Sequence, residues 1–362
     1  MIDWIQAVLP FRHTGEIVGG LVQATDDAGE LQWQRRKHVS IAGSFSTTIA
    51  LRSQGQVGPD EWSEVYISGN PLKFLQGHNA FGSDDLQCLL ALMASDALTL
   101  AGKPVTIFDQ RRWLEGRGVK VTMVDITYMF DLPSRADVRT YLRALGHTGH
   151  MRHRGRGEFR HETLYFGRRS RRHALKVYCK ADELECRKKG HQLPAVFQAQ
   201  ALRRDGERIH AWCDTKLRYE LRLLPMELKR LQLDNAELWQ LPLPAELFRI
   251  YTDRLSVSPQ QMKEADVLTK LTSAQRSAYT LWKKGEDLRR VYSRSQYYKL
   301  RRALLEHGVD IGVTQAPAQD RNVVQMVRIL QPKPADVPEW AKGGRHVYAD
   351  TNAARRKVKG DR

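Results

Sequence analysis

Residues 119–131 read VKVTMVDITYMFD. Valine, isoleucine, threonine and aromatic side chains dominate this run, which predicts a central β-strand. Asp125 sits in its middle, and because side chains alternate along a strand, Thr127 shares its face. An unpaired carboxylate there is costly to bury, and a divalent metal would compensate it.

On the C-terminal side, Thr163–Gly167 (TLYFG) and Ala174–Tyr178 (ALKVY) predict two strands flanking an arginine turn, RRSRR, residues 168–172. Lys216–Leu223 (KLRYELRL) alternates cleanly and predicts another strand, with Glu220 between Arg218 and Arg222 on its polar side. Towards the start, Thr47–Leu51 and Glu64–Ser68 are strand candidates. A helix follows, capped by Ser83, with Asp84 and Asp85 in its first turn and Leu86, Leu89, Leu90, Met93 and Ala97 at helical spacing. A short helix is expected at Arg135–Leu145 and a basic, glycine-rich loop at His147–His161. Strands and helices in this mixture predict an α+β first domain built on an antiparallel sheet, residues 1–240.

Pro242 and Pro244 mark a change of character. Residues 241–331 predict a mainly helical second domain, with a helix after Ser273, a short element over 286–292, a capping box of Ser293 with Gln296, and a strand over NVVQMVRIL, 322–330. Three short helices and a strand are the layout of a winged helix-turn-helix. The helix after Ser293 carries Arg294, Lys299, Arg301 and Arg302 around a stripe of Tyr297, Leu300 and Leu304. Residues 332–362, ending RRKVKGDR, predict a basic disordered tail.

Charge narrows the partners. Fifty-eight lysines and arginines against 41 aspartates and glutamates give +17, a field that favours a polyanion, and nucleic acid leads. No apolar run approaches the roughly 18 residues of a membrane span, and Met1-Ile2-Asp3-Trp4 has no signal-peptide character, so a cytoplasmic protein that does not engage a membrane is expected. Cys88, Cys179, Cys186 and Cys213 form no zinc-type spacing, and there is no Walker loop or GxSxG elbow. Tyr178 has many cations within ten residues, but from the residues alone it also reads as a strand tyrosine beside a solvated turn. His147, His150 and His153 lack the fixed spacing of a metal site.

Several local patterns, in one order, resemble a known family. Met1-Ile2-Asp3 with Leu9-Pro10-Phe11, then Pro71, Lys73 and Leu75–Gly82 (LQGHNAFG), then the VDIT around Asp125, then Ser170–Leu184 (SRRHALKVYCKADEL), then Glu220, and finally Asn322-Val323-Val324, Val327-Arg328, Pro338 and Trp340 are similar to the filamentous-phage gene II replication initiators. The resemblance runs in patches over nearly the whole chain. It implies a site-specific DNA nickase that starts and ends rolling-circle replication through a 5′-phosphotyrosine bond, with Tyr178 as the single nucleophile and Tyr165 structural. It further implies Asp125, Lys180 and Glu220 at the catalytic centre, and Mg²⁺ or Mn²⁺ held by Asp125, Glu220 and His78. His78, Asn79, Arg168, Arg169, Arg171 and Arg172 would hold the scissile strand, while Arg294, Lys299, Arg301 and Arg302 would contact origin duplex. The implied partners are single- and double-stranded origin DNA, a host helicase and a host polymerase. Members also make a shorter product from an internal start, for which Met262 is available. The competing reading is a non-catalytic DNA-binding regulator of replication or transcription.

Overall fold

The computed structural model describes residues 1–45, 47–186, 192–257, 271–307, 309–312, 333–342 and 348–359. Its strands are β1 (Ile2–Thr14), β2 (Leu21–Thr25), β3 (Leu31–Arg36), β4 (Val39–Ala42), β5 (Thr48–Gly58), β6 (Glu61–Gly69), β7 (Lys120–Asp131) and β8 (Gly149–Met151). They continue as β9 (Gly155–Arg156), β10 (Glu158–Arg160), β11 (Thr163–Phe166), β12 (His173–Cys179), β13 (Lys216–Leu223), β14 (Leu255–Val257) and β15 (Lys333–Pro334). The first eight helices are α1 (Pro71–Gln76), α2 (Leu86–Leu100), α3 (Ile107–Leu114), α4 (Arg135–Thr148), α5 (Lys180–Glu185), α6 (Arg203–Cys213), α7 (Pro225–Arg230) and α8 (Leu243–Thr252).

The run at 119–131 is the central strand β7, lying between β13 and β1 in a sheet ordered β10-β11-β12-β13-β7-β1-β6-β5-β4. Every pair in that path is antiparallel. One face is apolar: Ile5, Ala7 and Leu9 of β1, Val124 and Ile126 of β7, and Leu217, Leu221 and Leu223 of β13 are all buried in one core with residues of α2, α3, α4 and α8. Tyr219 shares that side, touching Tyr141 of α4 and Phe248 of α8. The opposite face carries the polar members of the same strands.

Three local expectations are corrected. Helix α2 is capped by Asp85, whose side chain accepts from the Cys88 N–H, while Ser83 Oγ supports the cap by accepting from the Asp85 N–H. The basic stretch 147–161 is not a plain loop: its first residues complete α4, and β8, β9 and β10 follow. The first core also extends past residue 240, because Leu247, Phe248 and Tyr251 of α8 are buried in it and β14 pairs with β8.

Beyond it, helices Ser273–Lys283, Leu288–Val291 and Arg294–Glu306 pack around a separate core of Ala278, Tyr279, Trp282, Leu288, Tyr297 and Leu304. Thr272 with Gln275, and Ser293 with Gln296, form capping boxes. The strand expected at 322–330 and Met262 lie outside the described residues.

The expectation of a disordered tail is corrected most clearly. β15 pairs with β7, Ala335 N–H donates to the Met129 carbonyl at 2.9 Å, and Trp340 meets Phe81 edge-on at 5.9 Å. Helix Thr351–Lys359 docks by Arg355, which grips Asp85 through two nitrogens and donates to the Leu114 carbonyl at 3.1 Å. Ala354 and Val358 pack on the first core. A basic composition does not produce disorder here because the charge that anchors the helix has its acidic partner elsewhere in the chain. Among the described residues no helix is long and apolar enough to cross a membrane.

Candidate active site

In antiparallel strands, residues directly opposite one another point to the same face. The register sets Tyr178 of β12 opposite Arg218 of β13 and Lys176 opposite Glu220. It then sets Glu220 opposite Thr127 of β7 and Arg222 opposite Asp125. The polar face therefore gathers Lys176, Tyr178, Arg218, Glu220, Arg222, Asp125 and Thr127 across three neighbouring strands. Residues far apart in sequence become side-chain neighbours because β12, β13 and β7 lie side by side.

Tyr178 is 8% exposed, and its hydroxyl donates to Glu220 Oε2 at 3.4 Å. The other Glu220 oxygen accepts from Lys176 Nζ. The Arg218 guanidinium carbon lies 5.8 Å from the centre of the Tyr178 ring. Burial pushes the Tyr178 phenol well above its ordinary value, with Arg218 opposing and Glu220 reinforcing the shift. The phenol is thus protonated at neutral pH, and a tyrosine in that state could act as a nucleophile only with a base to take its proton. Burial raises the Glu220 carboxyl, but the charge and hydrogen bond of Lys176 together with the Arg218 charge hold Glu220 below its ordinary value. Glu220 is the ionised acceptor beside the phenol.

Asp125 is 2% exposed and is held bidentately by Arg222, Nε to Oδ1 at 2.7 Å and Nη2 to Oδ2 at 2.6 Å. Burial, with the Glu220 charge adding to it, still pushes the Asp125 carboxyl up to about 7 against the pull of Arg222. Arg218 is fully buried. It pairs with Asp3 through Nη2 at 2.7 Å and donates from Nη1 to the Asn79 carbonyl, while its Nε has no hydrogen-bond partner among the described residues. Asp3 in turn accepts from Asn70 Nδ2 at 2.9 Å and Asn79 Nδ2 at 2.8 Å.

The expected residues divide. Tyr178, Glu220 and Asp125 share the face. Lys180 is next to it but wholly buried, donating to Asn79 Oδ1 at 2.9 Å and to Glu183; it holds the LQGHNAFG segment against α5. Asn79 serves that same bracing. His78 is 2% exposed and packed edge-on against Phe81 at 4.7 Å and Phe197 at 5.9 Å, inside an aromatic cluster instead of on a DNA-facing surface. Among the described residues no three His, Cys, Asp or Glu side chains converge as a metal site, so His78 does not join Asp125 and Glu220; Arg222 takes both Asp125 oxygens, while Lys176 and the Tyr178 hydroxyl take one Glu220 oxygen each.

The arginine turn is elsewhere. Arg172 and Tyr178 are six residues apart on one extended segment, roughly 20 Å at about 3.3 Å per residue. Arg169 and Arg171 are exposed, Arg168 lies 3.7 Å from Glu158, and Arg172 lies 3.6 Å from Glu227. In the helical unit Arg294, Lys299 and Arg302 are exposed, but Arg301 is engaged in a bidentate pair with Asp310, Nε to Oδ1 at 2.7 Å and Nη2 to Oδ2 at 2.9 Å. Sequence reasoning missed Asp3 and undervalued Arg218. The signal was present: a charged residue in the apolar run IDWIQAVL, and an arginine on a strand destined for the sheet centre.

Sheet and side chains together define an α+β protein with a tyrosine set among carboxylates and guanidiniums on one face of an antiparallel sheet. A family model for the N-terminal part of the replication-associated protein known as gene 2 protein matches residues 1–241, and one for the C-terminal part of the same protein matches residues 265–344. The replication-associated gene 2 protein of Enterobacteria phage I2-2 is 37% identical over 338 residues, covering 93% of this chain and 95% of that protein. The chain belongs to this family of phage replication-associated proteins. A solved rolling circle replication initiator protein from Geobacillus stearothermophilus aligns with 73% of this chain and 88% of its own at 13% identity, with a TM-score of 0.31.

Proposed function

We propose that this chain initiates rolling-circle replication of phage DNA by cutting one strand at the origin with Tyr178. The observation that carries the reading is the Tyr178 hydroxyl against Glu220 and under Arg218, in a member of the gene 2 protein family. Glu220 takes the phenol proton as Tyr178 Oη attacks phosphorus. The bond from phosphorus to the deoxyribose 3′ oxygen breaks, and Lys176 returns a proton to that oxygen. Tyr178 keeps the 5′ phosphate as a phosphodiester, so the reverse attack by a 3′ hydroxyl rejoins the strand without an outside energy source. Arg218, with its spare Nε donor, stabilises negative charge on the phosphorane.

A divalent cation, Mg²⁺ or Mn²⁺, enters this reading through Asp125 and Glu220 alone; these oxygens would hold it, and Arg222 and Lys176 would have to give way. Bound there, it would supply further charge on the phosphate. The helical unit would grip origin duplex through the exposed Arg294, Lys299 and Arg302 at the helix capped by Ser293. The freed 3′ hydroxyl would prime a host polymerase while a host helicase opens the duplex ahead.

The test incubates the protein with supercoiled origin DNA and a divalent metal, and scores open circles together with protein linked to the 5′ end. Wild type should give both and Tyr178→Phe neither, with origin binding kept. Binding without nicking by wild type across several metals would favour the regulator reading.

A further inference from the structure

The face that carries Tyr178, Glu220 and Asp125 does not stop at β7. Asp125 is opposite Trp4 of β1, and along β1 the same side shows Gln6 and Val8, opposite Ser68 and Tyr66 of β6; Tyr66 is opposite Arg52 of β5. Trp4, Gln6, Val8, Tyr66 and Arg52 are all half-buried, so this half of the face is left partly open to solvent. At its far side the ribbon of β2 and β3 stands beside β5, and a cleft between them is lined by Gln34, Arg35, Arg36, Arg52 and Gln54, with Glu64 as its carboxylate. Two of its guanidiniums are stacked on rings, Arg36 at 4.9 Å from the Trp62 centre and Arg52 at 5.4 Å from the Tyr66 centre. Arg36 is paired with Glu16 at 2.9 Å, whereas Arg35 and Arg52 have no ion-pair partner among the described residues.

We infer that this cleft receives the phosphate backbone of the duplex flanking the nick. The inference rests on the nicking reading and adds to it a second DNA-binding site on the catalytic unit. With Arg36 paired to Glu16, the two guanidiniums of Arg35 and Arg52, unpaired among the described residues, outnumber the single carboxylate of Glu64 and favour an anion, and the stacked guanidinium of Arg52 is already oriented for charge-assisted bonds to phosphate oxygens. Duplex is the form that fits. The ribbon is a two-stranded element of the kind a major groove admits, and all six residues of β3 are exposed, including Trp33 at 54%. From β12 to β5 is five strand spacings, about 24 Å at ~4.8 Å each, or roughly seven base pairs of duplex at ~3.4 Å each. The cleft is therefore reached only by DNA that extends about that far from the cut.

Affinity measured by fluorescence anisotropy on origin duplexes of increasing flank length tests this. Wild type should gain affinity when one flank passes about seven base pairs, and Arg35→Ala/Arg52→Ala should lose that gain while matching wild type on shorter flanks. Its log–log salt slope on the long duplex should fall by about 2, because two phosphates are no longer neutralised; Arg35→Lys/Arg52→Lys should keep most of both. An unchanged gain and slope in the alanine variant would overturn the inference. So would a gain that needs a single-stranded flank, or a loss equal at every length. Failure of wild type to nick any of these duplexes would sink the nicking reading alone, because the flank dependence is read from binding.

Discussion

Arginines stand at both ends of β12, but in opposite surroundings. At its start, Arg168, Arg169, Arg171 and Arg172 form an exposed turn with long, weak contacts to carboxylates. At its other end Tyr178 is enclosed by Glu220 and Arg218, whose own partners are fixed by hydrogen bonds or ion pairs. The arginines near this tyrosine in sequence are thus not the cations near it in space. Strand pairing brings Arg218 and Glu220 to the phenol, and of the cations close in sequence Lys176, on the same strand face, is joined to it through Glu220.

The largest effects should come from the enclosed end. Glu220→Gln removes the proton acceptor and should lower the nicking rate roughly 10²- to 10³-fold, within the usual range for a positioned base, as measured by single-turnover cleavage of origin DNA at saturating protein. Next is the ion pair behind it. Arg222→Ala leaves Asp125 buried without its guanidinium and should cost about 3 kcal/mol in urea unfolding, the scale of a broken buried pair; an unchanged midpoint would show that Asp125 draws its compensation from elsewhere.

What could be read from the sequence is what is encoded locally. The strands β7, β12 and β13 were legible because each is a short run of β-branched, aromatic or alternating residues bounded by turns. Tyr178 and Asp125 were legible through motif likeness. The pairing order β12-β13-β7 was not, since nothing local says which strands are neighbours, and with it went the meeting of Arg218 with Tyr178 and of Arg222 with Asp125. The tail misled for the same reason: RRKVKGDR is disorder-like as a composition, but Arg355 has its partner 270 residues away at Asp85. Arg355→Ala should therefore lower stability by about 1 to 2 kcal/mol, as loss of a partly buried charge-assisted contact, where a disordered tail would give no change.

Acid sensitivity offers a smaller, graded test at the exposed end's root. His173, the first residue of β12, is pushed down to about 4 from an ordinary 6.5, by burial first and the Arg154 charge second. Its neutral form is favoured in the fold, so its contribution is full above pH 6.5 and lost as pH falls through 4. Thermal melts should drop by a few degrees more over that window in wild type than in His173→Gln; parallel curves would place the acid transition in other groups. Smallest of all should be Arg168→Ala/Arg169→Ala/Arg171→Ala. With saturating DNA its nicking rate should stay within about threefold of wild type, as expected for exposed groups roughly 20 Å from the phenol. A loss as deep as that of Glu220→Gln would erase the distinction between the two ends.

The nucleophile is identified outright by locating the covalent bond. Wild-type protein is trapped on an origin oligonucleotide that cannot be rejoined, digested with protease and nuclease, and the nucleotide-bearing peptide is sequenced by mass spectrometry. Tyr178 should carry the 5′-phosphotyrosine bond, in the peptide spanning HALKVYCK. A linkage at Tyr165 or any other residue, or a cut 5′ end that carries no protein, would contradict this assignment.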